Sequence, residues 1–384
     1  SKYPPFYVPS NIAKQKSISK DVYAYIQFKE WTINSKYPVG MCNQILGPLG
    51  EISSDYQYIL FNHNLNYKKI SSDNDILKDL DNNNSILSYD NSLQRQDYRH
   101  CNTLSIDPPG CQDIDDAIDI QILKKHYIIQ VHIADVSNFV LENETLDKLA
   151  RERVSSIYSP IKQINMLPDD LSTNLCSLLE SKDRLVMSVS FKCNLDFKIE
   201  SMSVTNGVIN CKYNLNYETA DLLLKNCKSR DTRHFPTWVS QNLNLLYKFI
   251  GANNILERSL LEPNSHDLID TLMVLTNSHI GELIYKNTSS ISLLRVHHST
   301  DMDQLQKLEI LLKNAVENPQ VSNFLEIYYS HSAEYVIANN VPQLNIEHFG
   351  LKTKFYTHFT SPIRRYWDIL VHRQVKMIIN GTTS

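Results

Sequence analysis

Two apolar runs, TLSID (103–107) and AIDIQIL (117–123), are joined by a loop that brings Asp107, Asp113, Asp115 and Asp116 onto one connection. That crowding constrains the fold more than any other feature. Like charges held this close raise one another's pKa or cost stability, unless a cation neutralises them. The fold must therefore tolerate a concentrated negative charge at the end of a buried strand. Pro108-Pro109-Gly110 marks a tight turn after the first run, and YIIQVHIA (127–134) returns after the second across a short KKH turn. A β-meander is predicted.

Carboxylate ligands suit hard Mg²⁺ or Mn²⁺ over Zn²⁺, and two such ions about 3.5–4 Å apart would clamp a phosphodiester for in-line attack. Spacing by itself also allows an exposed Asp-rich turn or a calcium loop, although no D-x-D-x-D-G stretch ending in Glu is present.

Near the other end, HFTSPIRRYWDILVHRQV reads as a helix with Ser361 as N-cap and Pro362 at its first position. Arg364 and Arg365 would then lie in the first turn, where the helix dipole disfavours cations. An anion is expected there, and a phosphate held by guanidinium forks is the natural candidate. The alternative is that both arginines pair with protein carboxylates.

The 384 residues are enough for a large catalytic body and a smaller module. Residues 1–70 carry the runs YAYIQF (23–28) and YQYILF (56–61), read as strands of a small β-barrel. Residues 71–98, with DLDNNNS and SYDNS, read as a polar linker, and residues 99–384 as the catalytic domain. Within 266–286, the apolar stripe Leu268, Ile269, Leu272, Met273, Thr276, Ile280, Leu283 and Ile284 predicts a core helix. Net charge is −4, which confines any nucleic-acid footprint to a local channel. Seven cysteines without a C-x-x-C pair suggest neither a zinc knuckle nor a disulfide framework, and fit a reducing interior. With no signal-peptide core and no membrane-length apolar run, a soluble intracellular protein, cytoplasmic or nuclear, is expected.

Four ordered segments, SIDPPGCQDIDDAI, VHIADVSNFV (131–140), MLPDDLSTNLCSLL (166–179) and HFTSPIRRYWDILVHR, together resemble the ribonuclease II / RNase R (RNB) family. DPPGC is similar to the eukaryotic exosome-type branch. PPFYVPS and FKEWTINSKYPVG resemble the cold-shock (OB-type) module that precedes the catalytic domain there. The resemblance implies an α+β fold: a mixed, mainly antiparallel sheet flanked by helices, preceded by the OB-like module. It implies 3′-to-5′ hydrolysis of single-stranded RNA to nucleoside 5′-monophosphates with Mg²⁺, in an RNA-degradation complex or with an accessory RNA-binding protein. By position, Asp107, Asp113, Asp115 and Asp116 match metal-binding and catalytic aspartates, and Asp115 and Arg364 match the catalytic pair. Arg365, Tyr158 and Tyr217 match substrate contacts. His132 is read as a core histidine, and both it and Asp135 are left out of the catalytic set.

Some features depart from the family pattern. Thr271 follows Asp270 where adjacent acids are usual, HHST (297–300) replaces an HPxP-like segment, and the family's further catalytic helices and S1 domain would lie beyond Ser384. A catalytically weak or inactive RNA-binding paralogue is the alternative reading, and an endonuclease or general phosphodiesterase a third.

Overall fold

The computed structural model describes residues 4–9, 21–65, 94–225, 232–253, 264–288, 291–298, 310–311, 332–340 and 346–382. The chain forms two compact units, Ser1–Ser71 with Tyr158–Ile164, and Ser72–Ile157 with Asn165–Ser384.

In the first unit, β1 (Val22–Glu30) pairs antiparallel with β2 (Val39–Pro48) through three register shifts, and α1 (Ile52–Asn62) follows. YAYIQF is a strand as expected, but YQYILF is helical. The reason lies in the aromatic spacing. Tyr58 stacks on Tyr23 at 4.6 Å and Phe61 meets Tyr25 at 5.7 Å, so rings three apart on a helix face rings two apart on a strand. Alternation in that short run was fortuitous.

The second unit is built on a seven-stranded sheet in the order β3-β8-β7-β6-β5-β4-β9. Its strands are β3 (Gln96–Asp97), β4 (Leu104–Asp107), β5 (Asp116–Ile122), β6 (Tyr127–Ala134), β7 (Asp183–Cys193), β8 (Ile199–Asn210) and β9 (Tyr213–Asn216). β3 with β8 and β4 with β9 are parallel; the remaining neighbours are antiparallel. The mixed, mainly antiparallel sheet and the β5–β6 meander are as the sequence predicted. Gln96 and Asp97, which composition assigned to the linker, pair with Gly207 and Val208. Of the linker, residues 71–93 lie outside the described residues.

One face of the sheet packs on α3 (Tyr217–Leu224), α4 (Thr237–Ala252) and α5 (Ser265–Thr288), and the other on α2 (Thr145–Arg153) and part of α6 (Tyr366–Ile379). The predicted stripe of α5 is core: Leu268, Ile269, Leu272, Thr276, Ile280 and Ile284 are buried. Its Asn277 accepts the amide of Phe359 at 2.9 Å and thereby holds the segment that leads into the arginine turn. His132 is the satisfied core histidine the sequence suggested, with Nε2 2.8 Å from Asp119 and Nδ1 2.8 Å from Ser188 Oγ. Asp135 is also structural, held by Arg95 at 3.1 Å and Lys376 at 2.7 Å.

Phe191 is fully buried on the α4–α5 face, its ring 6.1 Å from Phe249 and 5.3 Å from His279. Phe191→Ala is expected to cost about 3–5 kcal/mol, read as a lower urea midpoint with an unchanged slope. A shift under about 1 kcal/mol would mean that this face is not the core.

Candidate active site

β4 delivers Asp107 at its last position, and its neighbour β9 ends opposite it, with Asp107 in register with Asn216. Asn216 caps α3 by accepting the amide of Thr219 at 2.8 Å, so Tyr217 starts that helix beside the acids. Cys111 N–H donates to Pro108 O at 3.1 Å across a turn with Gly110 at φ +80°. Such a turn takes proline at its second position and glycine at its third, which Pro109 and Gly110 supply. The chain then runs back toward β5 with its acids aligned.

The loop is pinned at Ile114, between two of those acids. Ile114 N–H donates to Ser177 Oγ at 3.0 Å, and Leu178 N–H donates to Ile114 O at 3.0 Å. Ala134 N–H reaches Asp115 O at 2.9 Å. The MLPDDLSTNLCSLL and VHIADV segments therefore shape the acid loop by backbone contact, a role their spacing did not disclose. Asp115 is 5% exposed and Asp113 7%. Burial pushes the Asp115 carboxyl up to about 7 against the opposing pull of Arg364 and the Ile363 amide. Burial also pushes Asp107 up to about 6, with Asp113 adding repulsion, and holds Asp116 well above the usual carboxylate range, with Asp107 and Asp115 adding to it. Tyr217 is pushed up to about 12 by burial and by Asp116 and Asp107, and its ring stacks on His266 at 3.7 Å. Asp270, one turn further along α5, adds to the same field, whereas Thr271 is buried.

The basic half arrives from the C-terminal segment, and here the structure corrects the expected helix. α6 begins at Tyr366; Ser361–Arg364 form a separate turn, with Arg365 N–H on Ser361 O at 3.0 Å. The cause is the Tyr366 amide, which goes to Val154 O at 2.8 Å instead of continuing a ladder from the turn, with Arg365 left extended; Asp368 Oδ1 then braces the turn by accepting the Ser361 amide at 2.7 Å and the Arg365 guanidinium at 2.8 Å. An acid in the first turn of a helix was the available signal for the later start. The turn aims Ile363 N–H at Asp115 Oδ1 (2.8 Å) and Arg364 Nε at Asp115 Oδ2 (3.3 Å). Arg364 also donates to Ser361 Oγ at 2.8 Å, and its side chain is 43% exposed. Arg365 is an ion-pair partner of Asp368 and only 21% exposed.

The structure thus brings Asp107, Asp113, Asp115, Asp116, Tyr217 and Arg364 into one electrostatic cluster. Tyr158 belongs to the first unit, where it is 53% exposed. Among the described residues, no donor meets the buried Oδ2 of Asp107. An acidic oxygen donor set with such an orphaned atom fits a hard divalent cation in kind. As the side chains stand, no three His, Cys, Asp or Glu among the described residues close into a cage for one. Cys111 lies inside the loop, with its Sγ 3.6 Å from Asp113 Oδ1, and burial pushes its thiol up to about 12. It acts there as a neutral donor.

Residues 95–260 and 253–381 match the RNB domain model, and residues 1–64 match the Dis3-like cold-shock domain 2 model. The chain is 30% identical over 401 residues to mouse exosome complex exonuclease RRP44, covering 91% of this chain and 41% of that protein. It spans less than half the length of that relative. The apo form of Mycoplasma genitalium RNase R superimposes with a TM-score of 0.81 at 20% identity, over 97% of this chain and 64% of that one. Yeast Ssd1, described as a pseudonuclease, superimposes with a TM-score of 0.76 at 20% identity, over 100% and 53%. Among the described residues, no helix is long and apolar enough to cross a membrane.

The raised carboxyl of Asp115 has a consequence for stability. A folded pKa near 7 against about 3.9 unfolded means the folded chain binds the extra proton between those values. Stability contributed by the protonated carboxyl is full below about 4 and lost as pH rises through about 7. In EDTA, Asp115→Asn should therefore melt higher than the parent chain at pH 8, with the gap closing toward pH 4. A lower melting temperature for the variant at pH 8 would contradict that reading.

Proposed function

Because the chain belongs to the RNB domain family, we propose that it is a 3′-to-5′ exoribonuclease that hydrolyses single-stranded RNA to nucleoside 5′-monophosphates. The observation that carries this reading is the meeting of a buried, mutually repelling carboxylate loop with a half-exposed arginine that faces it from the SPIRR turn. Spacing alone leaves a divalent-metal loop, an exposed turn and a calcium loop open for these acids. Their burial and convergence favour a centre that handles phosphate.

Asp107, Asp113, Asp115 and Asp116 would hold divalent metal, Mg²⁺ or Mn²⁺ and two ions in the fullest version. Bound there, the metal supplies an activated water and charge neutralisation at the scissile phosphate. Asp115 keeps its orientation through the Ile363 amide while Arg364 steadies the equatorial oxygens of the transferring phosphoryl group. Tyr217, fixed by its stack on His266, borders the 3′-terminal nucleotide. The wide ring of Tyr158 would stack on a base further along the strand, a contact tolerant of sequence. Arg365 acts on the substrate chiefly through the turn it braces with Asp368.

The partner is single-stranded RNA, in an intracellular RNA-degradation complex or with an accessory RNA-binding protein, a reading supported by the exosome exonuclease among the relatives. The fold shared with a pseudonuclease supports a second reading, an RNA-binding protein without turnover. The complete set of four acids and Arg364 favours the enzyme.

The test is a time course on a 20-mer of adenosine, 5′-labelled in one set and labelled at every phosphate in a second, with Mg²⁺ or EDTA, with products resolved on a denaturing gel. A ladder that shortens from the 3′ end and releases mononucleotides only with Mg²⁺ is expected. Internal oligonucleotides would replace the reading by an endonuclease, and RNA binding without cleavage would replace it by the pseudonuclease.

A further inference from the structure

Val154 adopts φ 64° and ψ −45°, a conformation that a β-branched residue takes only under constraint. It forms the centre of a γ-turn: Ser155 N–H donates to Arg153 O at 2.7 Å, two residues back. Strain of this kind persists only where the surroundings impose it, and it concentrates at functional sites. Here the surroundings are the arginine turn itself. Val154 O accepts the amide of Tyr366 at 2.8 Å, Ser156 N–H donates to Arg364 O at 3.0 Å, and Ser155 bridges Arg365 antiparallel.

The far side of the same turn is also tied down. Tyr366 Oη donates to Asp147 Oδ1 at 2.9 Å and accepts from Arg151 Nε at 3.2 Å. Asp147, fully buried, takes Arg373 at 2.7 Å as well. α2 therefore contributes both ends of a bracket: Asp147 and Arg151 from its body, and the kinked strap Val154–Ser156 from its exit.

We propose that this bracket is a positioning device for Arg364, in which the Val154 γ-turn sets the backbone of the SPIRR turn so that the guanidinium faces Asp115. The proposal deepens the exoribonuclease reading and rests on it for its kinetic effect. An ordinary φ at Val154 would swing Val154 O and Ser156 N–H out of line with Arg364 and Tyr366. The turn would then lose its two backbone bonds on that side, while the ion pair of Arg365 with Asp368 stays in place. A displacement of order 1 Å is enough to cost about 100-fold in rate without altering which groups are present.

The experiment is a double-mutant cycle of Val154→Pro with Arg364→Ala, since proline cannot take a positive φ. Two readouts are taken: kcat and KM on a short RNA with Mg²⁺, and Kd for that RNA in EDTA. Val154→Pro is expected to lower kcat by about 10- to 100-fold with KM within about threefold, and to have no further effect once Arg364 is alanine. Val154→Gly, which accepts the turn without strain, should restore kcat. Tyr366→Phe keeps the ring and loses only its hydroxyl bonds, and it should show the same non-additivity if the proline variant does not fold. Additive losses, or an unchanged kcat in folded Val154→Pro and in Tyr366→Phe, would overturn the bracket. If the parent chain binds RNA without cutting it, the catalytic reading fails, and hydrogen exchange at the Tyr366 and Ser156 amides decides the bracket: faster exchange in Val154→Pro supports it, and unchanged exchange overturns it.

Discussion

Asp115 is removed from water, and two groups from a turn some 250 residues later come to meet it: the amide of Ile363 and the guanidinium of Arg364. The rest of the second unit serves that meeting. A buried carboxylate is tolerated only when hydrogen-bonded or neutralised, so the loop and the turn constrain each other. The amide fixes one oxygen of Asp115, and the arginine offsets its charge from a half-exposed position that leaves it able to reach a phosphate.

The remaining acids carry the unbalanced part of the charge. Asp107, pushed up to about 6, and Asp116, held well above the usual carboxylate range, form a cluster in which burial and mutual repulsion both oppose ionisation. One arginine does not neutralise four carboxylates. The fold holds them together nevertheless, because Asp107 and Asp116 are the ends of neighbouring strands, β4 and β5, and Ile114 is clamped by Ser177 and Leu178. Strand pairing, a cooperative and long-range interaction, thus underwrites a local arrangement that would otherwise spread apart.

Much of this was legible in the sequence because the relevant signals are local. Alternation in AIDIQIL and the Pro109-Gly110 turn announced the meander, and the stripe of 266–286 announced α5. His132 was read as a core histidine and is one, satisfied on both ring nitrogens. What escaped depends on partners distant in the chain. YQYILF became helical because its rings pack on β1, and the start of α6 moved to Tyr366 because Val154 O, some 200 residues earlier, takes the Tyr366 amide. The strained Val154 leaves no compositional trace, since nothing in a valine between Arg153 and Ser155 signals a positive φ.

The most direct measurement of the central claim, that these repelling carboxylates form a cation site, is calorimetric titration of the folded chain with Mn²⁺ at pH 8, beside Asp107→Asn and Asp116→Asn. Saturable binding by the parent chain, lost in both variants while their folds persist, is the expected result. Equal binding by all three proteins, or none by a folded parent chain, would contradict the assignment of the acid loop as the metal centre.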